Sequence, residues 1–411
     1  MTEHFLPVDN GRRRMVKLKL CNCGAARSFF GLSRADAAPD GDRVAPDMRI
    51  TIFGLSVSST WGNGHGALWR GLIKALLRAG HRVDFYERDV PYYAANRDLT
   101  ELPDGGRLVL YGEWAEILPD ARHALAESDA GIVTSYCPDA LQAEALLGDS
   151  PIPLRCFYDL DTPVTLARLD AGEAVGYIGA GGLAGYDLVL SYTGGAALDL
   201  LRTRLGAKDA VPIYGSVDPE LYSPALPRPQ YGALLSYLGT YAEDRQAALE
   251  RLLIEPARRL TDERFVIGGA QYPRQFPWAP NIFFVRHLPP SEHPGFYGSA
   301  RMTLNVTRAA MAAMGWCPSG RLFEAAACGV PILTDSWDGL DAFFEPGREI
   351  LVADDTEAAI AALVRPSAEL ASIARRARER VLDQHSAQRR AADLIAALEN
   401  AHTRRPVSEE A

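Results

Sequence analysis

The chain has 411 residues, 47% hydrophobic and 23% charged, an ordinary globular composition with room for two domains at roughly 100–200 residues each. A formal net charge of −9 excludes any general electrostatic pull toward nucleic acid or an anionic membrane. No apolar run reaches the ~18–20 residues of a membrane helix. The six scattered cysteines, with Cys21-Asn-Cys23 too closely spaced for a metal knuckle, read as free thiols of a reducing cytosol.

Residues 1–47 differ in character from the rest of the chain. They hold Arg12-Arg13-Arg14, Lys17, Lys19, Arg27 and Arg34, then the polar run 36-DAAPDGDRVAPD-47. Two serines and several aspartates do not make a targeting peptide, so a disordered extension is expected here, with Met48 as an alternative start. From Met48 the pattern becomes strand, turn, helix, strand. The run 48-MRITIFGL-55 is a strand, 56-SVSSTWGNGHG-66 a loop, and 67-ALWRGLIKALLRAG-80 a helix with Gly80 as its C-cap. Further strands lie at 82-RVDFYE-87, 107-RLVLYG-112, 131-GIVTSY-136, 154-LRCFYDL-160 and 187-DLVLSY-192, with helices between them such as 138-PDALQAEALLG-148. Apolar strands alternating with helices imply a parallel sheet covered on both faces, which binds ligands at the carboxyl ends of its strands.

At 215-GSVDPELYSPALPRPQ-230 the periodicity lapses and four prolines mark a linker, dividing a domain at 48–222 from one at 223–401. The alternation then resumes. Strand 234-LLSYLG-239 leads into helix 243-EDRQAALERLLIEPARRL-260. More strands lie at 264-RFVIGG-269, 281-NIFFVRHL-288, 301-RMTLNV-306, 330-VPILTD-335 and 350-ILVA-353. Helices rich in Ala and Arg fill 357–401, and 402–411 is a tail. Two Rossmann-like halves joined by a linker leave a cleft between them.

Two helix starts in the second half are candidate anion sites. After strand 234–239, Gly239 and Thr240 open the next helix with Arg245 in its first turns, an arrangement suited to a diphosphate. A plain βα turn has the same appearance. At 319-SGRLFEAAACGVPILTD-335, Ser319 is a good N-cap and Gly320 permits close approach. Arg321 sits at the helix end that cations disfavour, a mismatch that a bound anion would repair. Glu324 lies one turn on, either paired with Arg321 or facing a ligand. The small residues Ala325 to Cys328 imply packing too close for an idle carboxylate.

In the first half, His65 in 62-GNGHG-66 lies at the cleft edge with little cover, able to act as a base or to cap the helix behind it. Asp159 and Asp161 in 158-YDLDTP-163 come after a strand end and are candidates for deprotonating a hydroxyl, or for capping the turn before Pro163. Ser191 to Gly195, at another strand end, is left unassigned. No cluster has metal spacing, and there is no nucleophile elbow or P-loop.

The linker 217-VDPELYSP-224 together with 321-RLFEAAACGVPILTD-335 resembles the GT-B glycosyltransferases, and specifically their CgeB-type (spore-maturation protein-like) family. The resemblance spans 48–401. It implies an α/β GT-B fold of two Rossmann-like domains facing a cleft, with the C-terminal helices crossing back to the N-terminal domain. In such enzymes a Val-Asp-x-x-x-aromatic-x-Pro linker joins the domains, as Val217, Asp218, Tyr222 and Pro224 do here. The Glu-Ala-x-Ala-x-Gly-x-Pro segment binds the nucleotide-sugar donor, its Glu on the ribose; that residue is Glu324. The loop around His65 approaches the acceptor or the donor phosphates.

Many retaining members carry a second Glu eight positions earlier, where this chain has Trp316. The segment upstream of Glu324 offers Asn305, Arg308 and Ser319 instead. The resemblance thus implies a cytoplasmic enzyme that transfers a sugar from a nucleoside diphosphate to a carbohydrate or other hydroxyl acceptor. It would need neither cofactor nor metal, since backbone amides and arginines carry the diphosphate charge, and the net charge of −9 gives no reason to expect a nucleic-acid partner. A nucleotide-sugar epimerase, or a non-catalytic sugar- or nucleotide-binding module of a surface or spore-coat assembly, would use the same scaffold.

Overall fold

The computed structural model describes residues 47–61 and 64–404, so the expected extension before Asp47, the pair Gly62 and Asn63, and the end of the tail lie outside the described residues. The first domain is a seven-stranded sheet. Its strands are β1 (Arg49–Gly54), β2 (Arg82–Arg88), β3 (Arg107–Tyr111), β4 (Ala130–Thr134), β5 (Leu154–Asp159), β6 (Leu188–Ser191) and β7 (Ala210–Pro212). The second has six: β8 (Ala233–Leu238), β9 (Phe265–Gly269), β10 (Ile282–Arg286), β11 (Ala300–Asn305), β12 (Ile332–Thr334) and β13 (Leu351–Val352).

All pairings are parallel, in the orders β3-β2-β1-β4-β5-β6-β7 and β10-β9-β8-β11-β12-β13. Each sheet therefore reverses its winding once, at β1/β4 and at β8/β11. The loops leaving those strands diverge and open a crevice. Central strands are buried along almost their whole length, as β4 is, because helices cover both faces. Helix Gly64–Arg78 shows the cause: Leu68, Trp69, Leu72, Ile73 and Leu76 fall on one stripe and are all buried against the first sheet.

The crossing back of the C-terminal helices is present. Helix Ser367–Gln384 packs on the second domain, where Arg378 Nε donates to the Ala327 carbonyl at 3.0 Å. Helix Ala387–Thr403 then places Ala391, Leu394, Ile395 and Leu398 in the core of the first domain. The two chain crossings are tied together, since the Val217 amide donates to His385 O (3.0 Å) and the Ala387 amide to Val217 O (2.8 Å). Lys74 of the first domain holds Asp218 of the linker at 2.7 Å.

Two local expectations change. The segment after Gly239 does not become helical at once: a loop runs to Ala242, and a 3-10 turn, Glu243–Arg245, starts the helical run. That run is not a single α-helix either. A π-turn at Glu250–Ile254 precedes Pro256, which lacks an amide to donate back to the fourth residue before it. Strand β7, three residues long, is too short for periodicity to pick out, and helix Trp114–Ala126, with Pro119 inside it, is not among the elements expected from the sequence.

At the crossing, the buried His385 stacks on Phe323 with ring centroids 4.7 Å apart, and Arg390 lies against its Nδ1. Burial, reinforced by the charges of Arg390 and Arg380, pushes its pKa down to about 3. The folded protein thus keeps this imidazole neutral while the unfolded chain takes up a proton below about pH 6.5. Stability from this group is full above that pH and is lost as pH falls. His385→Gln should lose packing at pH 7 but flatten the fall in unfolding free energy between pH 6.5 and 4 by up to about 1.4 kcal/mol per pH unit. Urea titrations of both proteins across that range check it.

Candidate functional site

The two crevices face each other across a cavity of about 930 Å³, within the ~300–1,000 Å³ usual for ligand sites. From the second domain come Arg245 after β8, Val306 to Arg308 after β11, and Cys317 to Arg321 with Glu324 in the next long helix. From the first come Gly64, His65, Asp161 and Tyr192.

Helix Gly320–Ala327 aims its amino end into this space. Ser319 occupies the N-cap position as expected, but its side chain makes no capping bond. A Cβ placed on Gly320 would meet no atom within 4 Å. Nothing in the protein demands glycine there, so the room belongs to the cavity.

Arg321 and Glu324 do not pair with each other. Arg321 reaches the Asn305 carbonyl oxygen at 3.5 Å and lies 5.6 Å from the Tyr237 ring centre. Glu324 accepts a hydrogen bond from the buried Tyr297 hydroxyl at 3.1 Å. Beside it, His293 Nε2 faces the Leu288 carbonyl at 3.2 Å, and burial lowers its pKa. The neutral ring must therefore carry its proton on Nε2 and accept from the Tyr222 hydroxyl (3.2 Å) on Nδ1. Linker residue Tyr222 is thereby packed into the shell around Glu324.

Three guanidiniums crowd the same wall. Arg308 is paired with Asp244 at 3.1 Å, whereas Arg245 reaches only the Thr240 carbonyl at 3.3 Å, and its Nε is buried without a partner. Burial, and after it the charges of Arg321 and Arg308, holds the Arg245 pKa below its ordinary value. An orphaned buried N–H among like charges is costly. A polyanion in the cavity would relieve both terms.

Gly239 and Thr240 do not belong to the cavity wall. The Gly239 amide donates to Gly268 O at 2.9 Å, extending the sheet by a residue. Its missing side chain is required by the Tyr237 hydroxyl, which a Cβ would approach to 2.8 Å. The glycine after β8 is a packing glycine, and only Arg245 of that group reaches the site.

In the first domain the helix begins at Gly64, so His65 lies in its first turn rather than in the loop before it. Its Nε2 is 3.6 Å from Asp161 Oδ2, and Asp161 also accepts from the Tyr136 hydroxyl at 3.1 Å. Asp159 does not line the cavity. Fully buried, it accepts from the Asp161 amide (3.1 Å) and the Thr165 hydroxyl (3.1 Å), and burial pushes its pKa up to about 6. The strand ends at Asp159, whose carboxylate is held beneath the following turn by the Asp161 amide, whereas Asp161 lies beyond the strand at the start of the next helix and lines the cavity. Asp161 occupies the N-cap position of helix Thr162–Asp170 without making a side-chain cap.

Sequence reasoning missed Tyr222, Tyr297 and His293, which come from three separate elements; an aromatic in the linker was the only signal available. It also left Tyr192 unassigned, although this residue lines the cavity and donates to the Pro318 carbonyl at 2.8 Å. Among the described residues no group of His, Cys, Asp or Glu is arranged to hold a metal ion, and no helix is long and apolar enough to cross a membrane.

The sequence family described as “Glycosyl transferase-like” matches residues 245–396, which lie largely in the second domain. Among curated proteins no sequence match is found. Solved structures do match. A sucrose-phosphate synthase from Thermosynechococcus elongatus superposes with a TM-score of 0.64 at 15% identity, over 87% of this chain and 99% of that one. Anabaena Alr3699/HepE, solved with UDP and glucose, gives 0.59 at 14% identity, over 86% and 99%. An α-glucosyltransferase, solved with UDP and a DNA 13-mer, gives 0.60 at 12% identity, over 86% and 100%. The fold of this chain is GT-B, and its second domain carries the sequence pattern of glycosyltransferases.

The arginine wall makes a direct prediction. Inorganic pyrophosphate at about 100-fold its dissociation constant should raise the melting temperature by roughly 2–5 °C, and Arg245→Met should remove most of that rise. Differential scanning calorimetry with and without pyrophosphate reads both.

Proposed function

We propose that this protein transfers a sugar from a nucleoside diphosphate sugar to an acceptor hydroxyl, the donor on the second domain and the acceptor on the first. The observation that carries the reading is a single cavity in which a helix amino end and crowded arginines face the His65–Asp161 pair. The diphosphate sits against the Ser319–Gly320–Arg321 terminus with Arg245 and Arg308. Its leaving charge is thereby met by fixed donors instead of water, and without assigning a divalent ion to that task. Glu324, steadied by Tyr297, binds the ribose hydroxyls. His65, with Asp161 behind it, takes the acceptor proton.

UDP in two of the structural relatives supports a nucleoside diphosphate as the donor class. Val217, Asp218, Tyr222 and Pro224 with the Glu324 segment support a CgeB-type affiliation within the fold. Four buried free cysteines fit a reducing cytosol. The acidic net charge offers no electrostatic reason for a nucleic-acid acceptor.

Glu324→Ala should weaken nucleoside diphosphate binding about 10–100-fold, or ~1.5–3 kcal/mol, in titration calorimetry across UDP, GDP, TDP and ADP. Unchanged affinity in a folded variant would return Glu324 to a structural role, and no binding of any nucleotide by the wild type would overturn the donor assignment. His65→Ala should lower kcat by ~10²–10⁴ with the nucleotide affinity retained. Product analysis with and without acceptor separates transfer from epimerisation.

A further inference from the structure

The position eight residues before Glu324 is filled by Trp316, and its geometry is unusual on three counts. Its backbone lies at φ +50°, a region that bulky residues avoid unless the surroundings impose it. Its indole is absent from the cavity wall, although Cys317, Pro318 and Ser319, the next three residues, all line it. And it is clasped by glycines from both domains. A Cβ on Gly195, after β6 of the first domain, would stand 2.5 Å from the indole Cδ1; one on Gly339 of the second domain would stand 2.5 Å from Cδ2. Both glycines also have left-handed backbones, at φ +57° and +86°.

The backbone repeats the pattern. The Trp316 amide donates within its own domain to Asp338 O at 2.7 Å, and its carbonyl accepts across the boundary from the Gly194 amide at 3.0 Å. The next two residues are held by the same loop: Thr193 Oγ1 contacts Cys317 Sγ at 3.2 Å, and the Tyr192 hydroxyl donates to Pro318 O at 2.8 Å. Tyr192, Thr193 and Gly194 of the first domain thus engage Pro318, Cys317 and Trp316 of the second, one to one, immediately before the helix terminus at Ser319.

We propose that Trp316 is a positioning residue, an interdomain latch that sets the Ser319–Arg321 terminus in register with His65 and Asp161 only while the domains are engaged. An exposed or merely packed tryptophan would need neither the left-handed backbone nor a glycine from the opposite domain. The wedge also accounts for the residue type at this position, because a partly buried indole clasped between two glycines leaves no carboxylate for the sugar. The inference rests on the transfer reading for its effect on turnover. Its structural content, the coupling of the two domains through residues 192–195 and 316–318, stands apart from that reading.

Two variants test it. Trp316→Gly suits the left-handed backbone and removes the indole; Tyr192→Phe removes one cross-domain bond and leaves the core intact, which guards against a folding failure of the first. Small-angle scattering of the free proteins should show a larger radius of gyration for Trp316→Gly than for wild type. Titration calorimetry should give UDP affinities within about threefold of wild type. kcat should fall roughly 10–100-fold for Trp316→Gly and about 3–10-fold for Tyr192→Phe with the donor KM little changed. Unaltered scattering together with unaltered kcat would overturn the latch. So would a loss of UDP affinity in step with kcat, which would make Trp316 a plain support of the donor helix. If the wild type proves to transfer no sugar, the scattering comparison still decides whether the domains are latched.

Discussion

The reversal of strand order at β1/β4 and again at β8/β11 is the constraint on which the site depends. In a parallel sheet, loops leave the carboxyl ends of all strands on the same side, and only where winding reverses do neighbouring loops part. Each sheet here does this once, and the chain turns the two openings toward each other. Arg245 comes after β8 and Arg308 after β11, one on each side of the second crevice; His65 comes after β1 in the first. Residues far apart in the sequence become neighbours because the topology leaves them no other place to meet.

Holding two separate sheets at that distance needs its own devices. The linker and the return crossing are hydrogen-bonded to each other at Val217 and Ala387, and the last helix is buried in the opposite domain's core. Polar groups at this seam are buried, as with the neutral His385 and the Arg390 that lies on Gly215 O and Asp393, and each keeps one ring or guanidinium nitrogen without a partner. The backbone bonds between Val217, His385 and Ala387 fix the register of the two crossings against each other.

The electrostatics of the second domain are unbalanced in a telling way. Arg308 has an acid partner, yet Arg245 and Arg321 contact only carbonyl oxygens and aromatic faces. Glu324 lies one turn from Arg321 and is nevertheless bonded to Tyr297. Intramolecular charge pairing within one helix turn is weak, worth only tenths of a kcal/mol, so the surroundings readily decide where each group points. Here they turn the carboxylate and the guanidinium to different parts of the cavity, where different parts of one ligand can use them.

Local pattern was enough for most of the strands, several of the helices, the proline-rich stretch Gly215–Gln230 and the helix start at 319-SGRLFE-324, since these depend on periodicity, proline content and helix-end preferences within a few residues. His65 and Asp161, expected at strand ends, do line the cavity. Local pattern also drew Gly239 and Asp159 toward the cavity, which they do not line. Whether a strand-end glycine faces a ligand or the Tyr237 hydroxyl, and whether a carboxylate points out or beneath the next amide, depends on neighbours supplied by other strands. Tyr297, His293 and the clasp around Trp316 were beyond local reading altogether, and Tyr222 was legible only as the aromatic of the linker. Their partners are brought together by sheet order and by the seam between domains, and contacts of that range exist only once the chain has folded.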